Sequence, residues 1–186
     1  MKSIKRKCFT LVELLIVIVV IGILSAMMML SSTEAVTSAR ASNIVSNLRN
    51  FKTAAMAMYV DYYDNMDAGK NPKDGNNWSD GNTDTKTILV KYMNKGDSNA
   101  TDTDINNYSI VIGKAPNGGN GYYVKCSNVT DTRVQEKLAG RGASVGLLGG
   151  VSSSSAGTTY STTTTDKTGV YMFVTQYGSA AAATTN

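Results

Sequence analysis

FTLVELLIVIVVIGILSAMMML, running from Phe9 to Leu30, is the stretch on which the reading of the chain turns. Glu13 is its only charge, and Thr10 and Ser25 are its only other polar side chains. At 1.5 Å per residue such a helix measures roughly 33 Å, enough to cross a bilayer. A cleaved secretory signal also joins a basic start to an apolar run, but its apolar core is shorter and closes on small residues. SSTEA after Leu30 imitates that ending only weakly. Glu13 is the informative position, because a carboxylate in a membrane span costs about 2 to 3 kcal/mol at the centre and calls for a partner. Two partners suit it. Thr10-Leu11-Val12-Glu13 has the form of a capping box, in which the carboxylate turns back onto free backbone donors of the first helical turn. The other is a positive charge on a neighbouring subunit.

At 186 residues the chain has room for one ordinary domain. Its formal charge of +4 is carried by Lys2, Lys5, Arg6 and Lys7, and the remaining Lys and Arg balance the 14 Asp and Glu. Such a cluster beside an apolar span reads as a cytoplasmic leader, and no nucleic-acid partner is expected. The absence of histidine removes the commonest general base and the commonest zinc ligand together. No pairing of nucleophile and base suggests itself, so the reading is not an enzyme and has no cofactor. Cys8 and Cys126 fall on opposite sides of a membrane on this reading, which predicts no disulfide, and Cys126 reads as a small buried apolar residue.

The stretch KRKCFTLVELLIVIVVIGIL, Lys5 to Leu24, resembles the prepilin-type signal of type IV pilins and type II secretion pseudopilins: basic residues, a small residue, Phe, Thr-Leu, Glu, then an apolar run. The resemblance implies a prepilin peptidase that cuts between Cys8 and Phe9, with N-methylation of Phe9. It implies a single-pass precursor in the inner membrane with its head outside the cytoplasm, then an extracellular or periplasmic filament. The implied partners are other pilin subunits in a homopolymer, the peptidase, and the assembly ATPase and platform protein. On this view Glu13 of one subunit pairs with the new Phe9 amine of another and sets the axial register, a task buried charges perform better than they add stability. Two positions depart from the family: Cys8 stands where it usually has Gly, and Leu30 where a Pro often follows Gly22. A lipidated cysteine is excluded by order, since Cys8 precedes the apolar run. The signal is shared by adhesion and motility pili, secretion and competence pseudopilins, and conductive fibres. Two other classes fit the composition: a monomeric membrane-anchored periplasmic binding protein with Glu13 as a simple cap, and an exported enzyme cleaved after Ala26 or Ala35.

From Ile23 to Ala68 there is neither Gly nor Pro, and Ala41, Ile44, Leu48, Phe51, Ala55, Met58 and Tyr62 form one helical stripe. The prediction is a helix from Phe9 to about Tyr63, roughly 80 Å long. The chain then divides into a leader at 1–8, a membrane or filament-core half-helix at 9–30, an amphipathic half-helix at 31–63 and a head at 64–186. Asp64 to Asn82 reads as an exposed loop, with Trp78 as an anchoring aromatic. Thr85 to Gly96 reads as a short helix, Asn107 to Gly113 and Gly121 to Val129 as a hairpin through APNGGN, and Asp131 to Gly142 as a capped helix. GRGASVGLLGG reads as a turn, VSSSSAGTTYSTTTTDKTG as a surface loop, and GVYMFVTQYG as a last strand. The fold class is α+β and pilin-like, a long N-terminal α-helix packed on an antiparallel β-sheet.

Two further signals are weak. Asp102, Asp104 and Asn106 match the first ligand positions of a calcium loop, but Asn107 and Gly113 stand where its turn glycine and closing Glu belong. Asn77, Asn99, Asn107 and Asn128 head glycosylation triplets of the kind an Asn- and Thr-rich chain produces by chance.

Overall fold

In the computed structural model, residues 9–78, 83–93, 106–164, 166 and 168–178 are described. Helix α1 spans Leu11–Asp61 without a break. By its internal contacts the chain forms two units, one up to Ala39 and one from Arg40 on. In the first unit every apolar side chain from Leu11 to Met29 is exposed. Ser32 Oγ donates to the Met28 carbonyl at 3.0 Å and Thr37 Oγ1 to that of Thr33 at 2.8 Å, so these hydroxyls are satisfied within the helix by sharing carbonyls four residues back.

In the second unit the predicted stripe turns inward. Ala41, Leu48, Phe51, Ala55 and Met58 are buried, joined by Val45 and Ala54, while Ile44 and Tyr62 are half-buried. This face packs on a five-stranded sheet. Its strands are β1 (Tyr108–Lys114), β2 (Asn120–Cys126), β3 (Leu147–Ser152), β4 (Ser155–Thr159) and β5 (Val170–Tyr177), in the order β1-β2-β5-β3-β4 and all antiparallel. Helix packing and sheet are tied by rings: Phe51 stacks on Tyr108 with centroids 4.7 Å apart.

Period-two alternation gives the sheet two faces. Ile110, Tyr122, Val124, Cys126, Val170 and Met172 point to α1. Val111, Tyr123 and Tyr171 form a second cluster with Leu148, Val151 and Phe173. What covers that second face is the β3-β4 hairpin. A Cβ added at Gly113 of β1 would collide with Val151 Cγ1 of β3 and come within 3.3 Å of the Ser152 carbonyl, although β1 and β3 are not neighbours in the sheet. The hairpin therefore folds across the sheet, and both faces are buried.

Several elements differ from the sequence reading. Asp64–Asn82 is not simply an exposed loop: it begins as α2 (Tyr63–Asp67), buries Met66 and Asn71, and forms a bridge between Lys70 and Asn77. Tyr122 Oη donates to the Met66 carbonyl at 2.8 Å, and Gly178 N donates to Asp67 Oδ1 at 3.1 Å, so the start of the segment is fastened to β2 and to the residue after β5. Trp78 packs on Tyr122 at 4.9 Å, as an anchor would. Helix α3 spans Thr83–Tyr92; the expected end at Gly96 lies outside the described residues. Helix α4 spans Thr132–Val145 rather than stopping at Gly142. Its Asp131 cap accepts from Arg133 N, and its end is Gly146 in the left-handed conformation. Gly142 serves close packing instead, since a Cβ there would lie 2.8 Å from the Tyr160 carbonyl. GRGASVGLLGG is thus the end of α4 and most of β3, not a turn, and VSSSSAGTTY holds the rest of the β3-β4 hairpin, not a loop. Pairing through the backbone, Ser152 with Ser155 and Val151 with Ala156, needs no apolar side chain on the outer positions.

Candidate assembly site on the N-terminal helix

The helix begins where Thr10 meets Glu13. Thr10 N donates to Glu13 Oε2 at 2.9 Å, Thr10 Oγ1 donates to the same oxygen at 2.8 Å, and Glu13 N donates to Thr10 Oγ1 at 3.2 Å. This reciprocal arrangement is the capping box expected from the spacing. It satisfies donors that a helix N-terminus leaves open and puts a negative charge at the positive end of the helix dipole. Phe9 beside it is 73% exposed. A carboxylate offers about four acceptor positions, so the cap leaves capacity for a further cation.

Below this polar start, α1 is long and apolar enough to cross a membrane, and none of its most apolar stretch is buried in the chain. A core helix of a globular domain can be as long and apolar, but it is covered by its own chain, and this one is not. An exposed apolar surface of this extent belongs in lipid or against other proteins.

The other predicted positions are not brought to this site. Cys8, Asp102 and Asp104 lie outside the described residues, and Asn106 is exposed just before β1. Among the described residues no group of three or more His, Cys, Asp or Glu could hold a metal ion. Cys126 is a buried free thiol whose pKa burial pushes up to about 11, so it behaves as a small apolar side chain. In the second unit, an open groove of about 330 Å³ runs past Arg40, Asn43, Asn47, Asn107 and Asn128. Asn128 there adopts a left-handed backbone at φ 67°, and with it β2 ends at Cys126, short of the expected Val129.

The family model described as the prokaryotic N-terminal methylation motif matches residues 5–29. That motif is the prepilin-type signal of type IV pilins and pseudopilins, and the helix and five-stranded antiparallel sheet give the chain an α+β pilin-like arrangement. The motif marks a precursor of the type IV pilin or pseudopilin kind. No curated protein and no solved structure matches the chain.

Proposed function

We propose that the chain is a structural subunit of a type IV pilus-like filament, held in the inner membrane as a precursor, cut between Cys8 and Phe9 by a prepilin peptidase, and assembled through its N-terminal helix. The observation that carries this reading is a single carboxylate, Glu13, inside the methylation motif and at the head of an apolar helix that its own chain does not cover. Cleavage would remove the basic leader and leave an ammonium on Phe9, four residues from that carboxylate. In a filament the amine of one subunit meets Glu13 of another, while the exposed apolar surfaces from Leu11 to Met29 pack together away from water. The chain's role is assembly rather than catalysis, and its partners are further copies of itself, the peptidase, and the ATPase and platform of the machinery.

The capping box supports a second reading. Because Glu13 already has partners within its own chain, it is tolerable in a lone membrane-anchored protein with a periplasmic head. N-terminal mass spectrometry of material sheared from cells separates the two. The filament reading expects a chain beginning at methylated Phe9 in the sheared fraction. Finding only uncut precursor in the membrane would leave the anchored monomer.

A further inference from the structure

Between Ala35 and Val60, α1 carries Arg40, Arg49 and Lys52 and no carboxylate. Arg49 shares an open hollow of about 350 Å³ with Arg141 of α4, and Ser42, Ser46 and Asn50 complete its polar wall. Among the described residues no carboxylate lines it. Arg141 Nη1 donates to Ser42 Oγ at 2.7 Å, which tethers the α4 guanidinium to α1. The hollow thus carries two positive guanidinium groups. Planar guanidinium forks match a carboxylate with two parallel hydrogen bonds, and hydroxyl and amide donors on the same wall complete its coordination.

We infer that this hollow is a contact between heads of neighbouring subunits and receives an acidic side chain of a second copy of the chain. The inference rests on the filament reading above. The same head supplies the complement: Asp64 in α2, Asp74 in the turn after it, and Glu136 on α4 are exposed carboxylates. A homopolymer presents every subunit's basic hollow to its neighbours' acids, so one sequence carries both halves of the contact. Complementary charges of this kind fix register and reject wrong packings.

The test uses the full chain in cells that carry pilus machinery. Arg49 is exposed, so Arg49→Glu leaves the core untouched. Its cleavage and membrane level match the wild type, whereas the yield of sheared filaments falls about tenfold or more, because like charges then meet. Arg49→Lys keeps the charge but not the fork, so its yield falls less than that of Arg49→Glu. A carbodiimide applied to those Arg49→Lys filaments joins the introduced amine to a carboxylate, giving dimers on a denaturing gel whose linked peptides name the acid. Wild-type yield from Arg49→Glu, or an introduced amine that forms no dimer, overturns the contact while leaving the filament intact. A wild-type chain that is cleaved yet never found in filaments instead removes the proposed function, and this contact with it.

Discussion

Glu13 makes the sharpest demand of any single residue, since its carboxylate serves both as a helix cap and as the proposed partner of a neighbour's amine. Glu13→Ala removes both roles. Loss of a cap costs roughly 1 kcal/mol, too little to expel an apolar helix from a membrane. The variant is therefore expected in the membrane and cleaved at the normal level, yet nearly absent from sheared filaments, as immunoblots of the two fractions would show. Normal filament yield would end the pairing mechanism. Gly113 is the second telling residue. Its missing side chain is occupied by Val151 from the folded-over hairpin, so Gly113→Ala forces an overlap that costs about 1 to 3 kcal/mol. Denaturant unfolding of the purified chain in detergent should show that loss, and Gly113→Ala combined with Val151→Ala should recover part of it.

At the scale of elements, α1 was the most legible feature, because a spacing of three and four from Ala41 to Met58 has one physical meaning and the structure buries that face. Leu48 is completely buried in it, so Leu48→Ala is expected to cost about 2 to 5 kcal/mol in the same unfolding measurement, and the exposed Met56→Ala much less. The strands β1, β2 and β5 were equally readable, being apolar on both faces. The hairpin β3-β4 was not. LLGG and SSSSAGTT lack apolar alternation and hold only Thr158 and Thr159 as β-branched residues, so their strand character comes from tertiary pairing and from the need for slender residues where backbones meet. The same cause hid the true end of α4: Gly142 looks like a stop and is a contact. In the candidate site, the cap and the apolar run were readable from spacing alone. The hollow of Arg49 and Arg141 joins residues far apart in the chain, and its one sequence signal is a stretch of α1 with cations and no acids.

The whole molecule gives the pH response. Burial is the main reason Tyr122 and Tyr59 sit well above the ordinary tyrosine range and Tyr160 is pushed up to about 12, as Cys126 is to about 11. Each of these groups holds its proton longer folded than unfolded, so between the two values the folded chain binds more protons and stability falls as pH rises. The contributions of Cys126 and Tyr160 are complete below about pH 9 and are lost as pH climbs through about 11 and 12, and those of Tyr59 and Tyr122 persist to higher pH. An alkaline titration followed by tyrosinate absorbance and circular dichroism should show the buried tyrosines ionising together with loss of structure, rather than singly near pH 10. Independent titration of every ring with the fold retained would contradict the aromatic core.

The β3-β4 hairpin holds its place through main-chain pairing and the apolar grip of Leu147, Leu148 and Val151, while Ser153 and Thr158 turn outward. Side chains that bear no weight are free to change. Along a polymer of many copies, that ribbon would repeat as a display whose chemistry can drift, lineage by lineage, without disturbing the frame that carries it.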